Sequence, residues 1–240
     1  MIHLAGQAIA DRRWSAKVKQ QIRDSRVLKT QQLSQALASL NQPPKTFLCA
    51  SAIGIYGDRG DEILAEDSAP GSGYLPAVAV QWEAACQPAR EAGIRVANLR
   101  LGVVLSTDGG ALQKMLLPAK LGLGGPLGSG RQWWSWIDLV DTTAAIYHTL
   151  ITPSLSGAVN VVAPQAVRQA DFAKTLGTVL HRPAVIPTPA FALRLALGEM
   201  ADPLLLASAR VEPAKLVASG FSFRYGRLID SLQHQVGTIS

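Results

Sequence analysis

The stretch whose residue types could do chemistry is SAIGIYG, residues 51–57, which follows the apolar run Thr46 to Ala50. It puts a serine hydroxyl and a tyrosine phenol beside small residues and a glycine turn. Open α/β sheets bind ligands at the carboxyl ends of their strands, so this order predicts a strand that delivers Ser51 to a site. The alternative is a buried strand closed by an ordinary glycine turn.

A second candidate is the glycine-dense stretch GLGGPLGSGR, residues 122–131. A phosphate-binding Walker loop would need Lys-Ser or Lys-Thr after the last glycine, and Arg131-Gln132 stands there. The GxGxxG pattern fails because Leu127 occupies its final glycine position. We therefore expect a flexible substrate loop or a plain surface turn. Trp133 follows, and its indole could contact a ligand or pack in the core.

Composition excludes several classes of function. Lys and Arg number 23 against 17 Asp and Glu, giving a net charge of +6, but no compact basic run carries interleaved aromatic residues, so we expect no nucleic-acid partner. Cys49 and Cys86 form no CxxC motif and the four histidines are scattered, so we expect no metal site. The sequence shows neither an apolar stretch of membrane-spanning length nor a signal peptide, which predicts a cytoplasmic protein with no membrane partner.

The elements that must position Ser51 alternate between strands and helices. A short strand at 2–5 precedes a helix that Ser15 caps and that runs to Leu40, and the strand into Ser51 follows. A helix begins near Tyr74 and is kinked or ended by Pro88. The apolar run from Ile94 to Leu105 predicts one strand covered on both faces. This order is typical of a doubly wound, parallel α/β sheet.

The pattern changes after Pro153, where short, proline-punctuated elements begin. We expect a strand at 158–162, a helix at 171–180, short helices near 191–197 and 213–218, a strand at 221–223 and a terminal helix. Before that point, a helix is expected at 111–121 and another that Asp138 caps. The sequence thus predicts a partial doubly wound sheet domain, residues 1–152, and a smaller, mostly helical lobe, residues 153–240.

Five stretches together resemble the extended short-chain dehydrogenase/reductase superfamily, and within it the NAD-dependent epimerase-like branch of "epimerase family" proteins. The resemblance covers essentially the whole chain in the right order, and it implies a Rossmann-like fold. The stretches are IHLAGQAIADRRW (2–14), SAIGIYGDRG (51–60), NLRLGVVLSTDGGAL with KMLLP (98–118), LGLGGPLGSGRQWWSWIDLVD (121–141), and GEMADPLLLASARVEP with GFSFRYGRL (198–228).

The resemblance implies roles for particular residues. Ser51 matches the serine that hydrogen-bonds a substrate hydroxyl or carbonyl, and Tyr74 lies near the expected acid/base tyrosine, with Tyr56 as a second candidate. Tyr74 could instead be a core aromatic residue. The positions implied to line the cofactor are Ala5, Gly6, Ala50, Ser51, Arg100, Gly102 and Val103. Those implied or expected to face the substrate are Lys114, Arg131 and Trp133, the two cations being suited to a phosphate or carboxylate.

Two departures from the superfamily pattern bear on activity. The catalytic pair is YxxxK, but Val78 stands four residues after Tyr74. The family also carries strand-helix units and a GxxGxxG loop before the strand at 2–5, and Met1 stands where that strand begins. We therefore expect a truncated or late-started form that binds NAD or NADP weakly or not at all. The edge of strand 2–5 would be free to pair with another chain.

The resemblance implies an NAD(P)-dependent epimerase or reductase that acts on a carbinol carbon of a small molecule. The substrate class that we expect is a nucleotide sugar. The alternative is a non-enzymatic binding or regulatory protein that keeps the fold, since some relatives are associated with division control. The missing lysine and glycine loop favour this alternative. A third hypothesis, nucleic-acid binding, has only the net charge of +6 behind it.

Overall fold

The computed structural model describes residues 1–237, which form ten strands and nine α-helices. The strands are β1 Ile2–His3, β2 Thr46–Ala52, β3 Ile63–Leu64, β4 Arg95–Leu101, β5 Val103–Leu105, β6 Trp133–Trp134, β7 Trp136–Asp138, β8 Gly157–Val161, β9 Val167–Arg168 and β10 Arg210–Val211. The helices are α1 Ala16–Ala38, α2 Tyr74–Ala84, α3 Gln87–Glu91, α4 Gly110–Lys120, α5 Leu139–Ile151, α6 Gln169–Leu180, α7 Ala190–Leu197, α8 Ala214–Ala218 and α9 Leu228–Gly237.

The main sheet is parallel and has the strand order β1-β2-β4-β8. Because all four strands run the same way, their carboxyl ends meet at one edge. The register sets Ser51 opposite Arg100, and Arg100 opposite Asn160. Three polar side chains from three neighbouring strands therefore stand in one row at that edge.

Helices cover both faces of this sheet, which confirms the predicted α/β class. Phe47 and Cys49 of β2 pack against α1, α2 and α3, whereas the intervening Leu48 packs towards α5 and α8. This alternation follows from the two-residue period of a strand. Among residues 1–237, no helix has the length and apolar character needed to cross a membrane.

The predicted helix starts are confirmed where a local cap defines them. The Ser15 hydroxyl accepts a hydrogen bond from the Val18 amide at the start of α1, and Asp138 accepts one from Val140 at the start of α5. Helix α2 begins at Tyr74 and ends before Pro88, which occupies the first turn of α3. Both hydroxyl and carboxylate caps satisfy amides that have no partner within the helix.

The Asp138 carboxylate also reaches the last helix of the chain. Its Oδ2 accepts hydrogen bonds from Ser231 Oγ at 2.7 Å and from Gln235 Nε2 at 3.1 Å, both on α9. Asp138 itself is fully buried. One side chain thus joins the beginning of α5 to α9.

The expectation of a single strand from Ile94 to Leu105 is wrong. The chain breaks at Gly102, after which β5 leaves the main sheet and pairs with β7. The Gly102 amide donates to Val161, and a Cβ at this position would lie 2.7 Å from Val162 Cγ1 and 2.8 Å from the Ser135 carbonyl. The backbone therefore crosses too close to its neighbours for a side chain.

Two smaller expectations also differ from the structure. Residues 221–223 form no strand; instead Phe221 and Phe223 pack edge to face, with ring centroids 4.8 Å apart. The first strand has ladder pairs only at Ile2 and His3, so it is shorter than 2–5. Apolar residues alone do not distinguish a strand from a loop whose aromatic rings pack against each other.

The C-terminal half returns to the main sheet before it forms the lobe. Strand β8 pairs with β4, and then α6 and α9 pack with α4 around Trp134 and Phe172. Two short strand pairs join the lobe to the sheet domain. Strand β10 pairs with β3, and β9 pairs with β6. The domain boundary after residue 152 stays a prediction.

Candidate functional site

A largely enclosed carboxylate, that of Glu83, lies beside the polar row. Glu83 projects from α2 and accepts a 2.7 Å hydrogen bond from Ser51 Oγ. Arg100 donates to both of its oxygens, from Nε at 2.8 Å and from Nη2 at 3.0 Å. Because both oxygens act only as acceptors, Glu83 has the hydrogen-bonding pattern of an ionised carboxylate.

The arrangement extends to Tyr56 and Asn160. Arg100 Nη1 donates to the Tyr56 hydroxyl at 2.8 Å, and that hydroxyl lies 2.7 Å from Asn160 Oδ1 and 2.9 Å from the Ala65 carbonyl. We call Ser51, Glu83, Arg100, Tyr56 and Asn160 the Glu83 network. All of its members except Glu83 are buried, and the Glu83 side chain is only 15% exposed.

Charge balance keeps this network intact. Burial by itself would lower the pKa of Arg100, but the hydrogen bonds and the charge of Glu83 outweigh burial and raise it. Burial raises the pKa of Tyr56, although Arg100 opposes that change. At neutral pH the network therefore contains one cation, one anion and a protonated phenol.

Sequence reasoning missed Glu83. Its signal is modest: Glu83 is the one acid between Asp67 and Glu91, and it lies in an otherwise apolar helix beside Trp82. An acid in such a helix is unusual because a buried charge needs a partner. The sequence does not identify that partner, which comes from β4.

Tyr74 occupies the first turn of α2, apart from the Glu83 network. Its hydroxyl donates to the Lys19 carbonyl at 2.6 Å, and its ring contacts Trp14 edge-on at 5.1 Å. Burial raises the pKa of Tyr74, with Arg26 opposing the change. Val78, four residues on, is buried. Lys19 Nζ lies over the Tyr74 ring, 5.4 Å from its centroid.

The residues implied to line a cofactor lie near the same sheet edge. Ala5 and Gly6 follow β1, whose His3 pairs with Cys49, so they leave the sheet on the Ser51 side. Both are exposed, while Ala50 is buried within β2. Gly102 and Val103 lie at the break between β4 and β5.

The residues expected to face a substrate fall into two places. Lys114 on α4 donates to the Ala10 carbonyl at 3.0 Å. Arg131 and Trp133 lie beside β9, where the Arg131 carbonyl accepts a hydrogen bond from Arg168. Within the described part of the chain, no hydrogen bond joins these residues to the Glu83 network.

The glycine-dense stretch connects α4 to β6. Gly122, Gly125 and Gly128 have GxxGxxG spacing, but they follow a helix, whereas a nucleotide motif lies between a strand and a helix. The Gly125 backbone runs against Ile186, whose carbonyl would lie 2.1 Å from an added Cβ. In residues 1–237, no group of three or more His, Cys, Asp or Glu side chains is placed to hold a metal ion.

Comparison with known proteins supplies relatives for both parts of the chain. The model of the NAD dependent epimerase/dehydratase family matches residues 1–162, and a domain of unknown function, DUF1731, matches residues 188–235. Epimerase family protein Mb2239 of Mycobacterium bovis is 41% identical over 232 residues, which are 97% of this chain and 76% of that protein. Epimerase family protein YfhF of Bacillus subtilis is 40% identical over 228 residues, 95% of this chain and 74% of the relative.

Solved structures show the same architecture. The structure of human epimerase family protein SDR39U1 with NADPH superposes with a TM-score of 0.94 at 33% identity, covering 98% of this chain and 81% of that one. UDP-glucuronic acid 4-epimerase of Bacillus cereus, solved with NAD, gives a TM-score of 0.76 at 16% identity over 99% and 73% of the two chains. The second likeness concerns the Rossmann-like fold alone.

Proposed function

The chain belongs to the NAD-dependent epimerase/dehydratase family, and from this premise we propose that it is an NAD(P)-dependent epimerase or reductase acting at a carbinol carbon of a small substrate. The observation that carries the proposal is the contact of Ser51 with the ion-paired carboxylate of Glu83, which is only 15% exposed, at the carboxyl edge of the sheet. A hydroxyl held in this way suits proton exchange with a substrate oxygen.

The residues present fit the nicotinamide end of a dinucleotide. Ala5 and Gly6 are exposed at the carboxyl edge beside β2, and they carry no side chain larger than a methyl group, so a flat ring can approach their backbone. The bound nicotinamide would supply the hydride chemistry. Ala50, Ser51, Gly102 and Val103 complete the set that would hold it.

Arg100 has a different part in this proposal. Its guanidinium nitrogens are engaged by Glu83, by the Tyr56 hydroxyl and by the Glu66 carbonyl. We therefore assign Arg100 to hold Glu83 in place, and the enclosed Tyr56 to hold Arg100. Both are positioning residues.

The proton on the substrate oxygen is handled by Ser51 and Glu83. Because Ser51 donates its proton to Glu83, its oxygen has lone pairs free to accept a hydrogen bond from a carbinol hydroxyl. When that hydroxyl loses its proton to Ser51 Oγ, the serine proton passes to Glu83 Oε1; in the reducing direction both protons return. Tyr74 keeps its proton at neutral pH, since burial raises its pKa, and it would act as a donor only after releasing the Lys19 carbonyl.

The substrate class and setting remain proposals. We keep a nucleotide sugar as the class, with Lys114, Arg131 and Trp133 as candidate contacts, because two of them are cations. Location in the cytoplasm is supported by two buried cysteines that form no disulfide. Identifying the substrate would test the proposed class and the three candidate contacts.

The proposal is tested by turnover. The chain, supplied with NAD or NADPH, is screened against nucleotide sugars and simple ketones while nicotinamide absorbance is followed. Ser51→Ala and Glu83→Gln should each lower the rate by about 100-fold, the usual size of a general acid-base contribution. Ser39→Ala, an exposed serine after α1, is the matched control and should turn over normally. Equal rates for all variants would remove Ser51 and Glu83 from the chemistry.

We also propose that a polypeptide of these 240 residues, taken alone, binds the dinucleotide weakly. The glycine-dense stretch of this polypeptide follows a helix and not a strand, so we expect its contacts with a dinucleotide to come from the nicotinamide end. Isothermal calorimetry with NAD and NADPH measures this directly. Submicromolar binding, about 8 kcal/mol or more, would contradict it.

The second candidate function is a binding or regulatory protein without turnover. The observation that favours it is Tyr74, whose hydroxyl is occupied by the Lys19 carbonyl and whose helical neighbour at the lysine position is Val78. Such a protein would bind a ligand equally well with Ser51→Ala, and no compound in the screen would be converted. Turnover by the parent chain therefore separates the two candidates, since only the first predicts it.

A further inference from the structure

A cavity of about 240 Å³ lies beside Trp133. Pro164 and Gln165, which follow the carboxyl end of β8, form one wall, and Arg210 and Glu212 form another. The position is therefore at the ligand-binding edge of the sheet. Neither wall contains a member of the Glu83 network.

Two charged residues line the cavity, Arg210 of β10 and Glu212 directly after the strand. Arg210 and Glu212 are two residues apart, and alternate residues of an extended chain project to the same side. Val211, between them, is fully buried and also lines the cavity. Pairing of β10 with β3 holds this stretch in place.

The two arginines near Trp133 differ in how their charge is satisfied. Arg168 Nη2 forms a 2.8 Å ion pair with Asp61, and its guanidinium lies 4.1 Å from the Trp133 ring centroid. Arg210 lies over the same ring at 4.6 Å. In residues 1–237, no ion pair or hydrogen bond to the Arg210 side chain was found.

Asp61 attracts Arg210 through its charge, but no hydrogen bond joins the two side chains. Its Oδ1 already accepts the Trp133 indole N–H at 2.9 Å and faces Arg168. The contact with the indole face holds the Arg210 guanidinium without using its N–H donors. Arg210 is thus a preorganised cation with unused donors on the wall of a cavity.

We propose that this cavity binds the anionic end of a small polyhydroxy ligand, a carboxylate or a monophosphate, through Arg210. A guanidinium binds either oxyanion with paired hydrogen bonds. Gln165 and Glu212 accept hydrogen bonds from neighbouring hydroxyl groups, and the charge of Glu212 disfavours a second anionic group. The volume lies below the usual range for a whole drug-sized ligand, so the cavity holds one end of it.

Three probes test this proposal in the absence of any nicotinamide cofactor, so that its result is independent of the proposed turnover. Gluconate carries a carboxylate, glucose 6-phosphate a phosphate, and glucose the hydroxyls alone. Binding is measured by calorimetry and by the indole N–H resonance of Trp133 in nitrogen-15 spectra. We expect at least one anionic probe to bind and to shift the Trp133 resonance, and glucose to do neither.

The variants separate a built site from general surface charge. Arg210→Ala should weaken binding of the anionic probe at least tenfold, and Arg210→Lys should retain part of it. The matched control is Arg224→Ala, since Arg224 also lies over an aromatic ring, that of Tyr225, at 5.6 Å. This control should bind as the parent chain does.

Three results would overturn the proposal. They are equal affinity in the parent and in Arg210→Ala, binding that leaves the Trp133 resonance unmoved, and no binding of either anionic probe at millimolar concentration. If Arg210→Ala loses its fold by circular dichroism, Arg210→Gln takes its place, because its longer stem keeps more of the contact with Trp133. An equal loss in Arg224→Ala would assign the binding to net charge instead.

Discussion

At the scale of single residues, the polar atoms of the Glu83 network bond to each other instead of to water. Ser51, Arg100 and Asn160 are buried, yet each forms hydrogen bonds with protein partners. Arg100 alone bonds to a carboxylate, a phenol and a carbonyl. A buried charge is tolerated only with such partners. The stability of this edge therefore depends on pairs of residues.

The ion pair gives a prediction for stability. Glu83→Gln leaves the Arg100 guanidinium buried without its anion, so the free energy of unfolding should fall by about 3 kcal/mol. The double variant Glu83→Gln with Arg100→Met removes both charges and should be more stable than Glu83→Gln alone. Urea denaturation of the parent chain, Glu83→Gln, Arg100→Met and the double variant measures the difference. Strictly additive losses would show that the pair is not coupled.

His3 gives a prediction for pH. Burial against Phe47 and Thr30 lowers the pKa of His3 from its ordinary value of 6.5. The unfolded chain then binds a proton more readily than the folded one, so stability should fall as pH drops below 6.5 towards the lowered pKa, and then level off. His3→Gln should flatten this part of the curve in urea titrations from neutral to acidic pH. An unchanged slope in the variant would assign the dependence to other groups.

Residue types predicted part of the site. Ser51 lies at the carboxyl end of a strand, as its place after an apolar run and before a glycine turn indicated. Glu83 was not predicted, because a helical pattern shows which residue is an acid but not which strand faces it. Tyr56 and Tyr74 looked equivalent in the sequence, and only tertiary packing encloses one and ties the other to Lys19.

At the scale of elements, the sequence predicted features that depend on neighbouring residues and missed one that depends on distant residues. The starts of α1 and α5 follow from caps within three residues of each helix start, so the sequence suffices. The break at Gly102 depends on Val162 and Ser135, which are distant in the sequence. A continuous apolar run could not reveal it.

The break gives a prediction with a built-in control. Gly102→Ala would force a methyl group against Val162 and the Ser135 carbonyl, and overpacking of this kind should cost about 1–3 kcal/mol in the free energy of unfolding. Gly109→Ala is the control, since its backbone is extended at φ −178° and nothing lies within 4 Å of an added Cβ. Thermal and urea unfolding should separate the two variants. Equal stability would mean that the crossing at Gly102 relaxes freely.

At the scale of the whole molecule, the main sheet has one outer strand with apolar neighbours in solvent. Among residues 1–237, strand β1 pairs only with β2, and Ile2 and Leu4 are 42% and 51% exposed. Unpaired backbone groups and apolar side chains on an edge favour pairing with another chain. We therefore propose that two copies of the chain associate through the β1 edge.

That proposal predicts a concentration-dependent dimer. Leu4→Lys places a charge at the edge and should lower self-association in sedimentation velocity runs at increasing concentration. Leu123→Lys is the control because Leu123 is similarly exposed, at 55%, but lies in the glycine-dense stretch. If both variants behave like the parent chain, the contact lies elsewhere. A parent chain that stays monomeric throughout would remove the proposal.

The shared use of Asp138 has a consequence for synthesis. The carboxylate is fully buried, and two of its hydrogen-bond donors come from α9, near the end of the chain. On the ribosome, α5 emerges well before those donors exist, and a charge cannot be buried without them. The nascent α5 must therefore remain solvated until α9 has been synthesised and has left the exit tunnel, so the native packing of the lobe depends on α9.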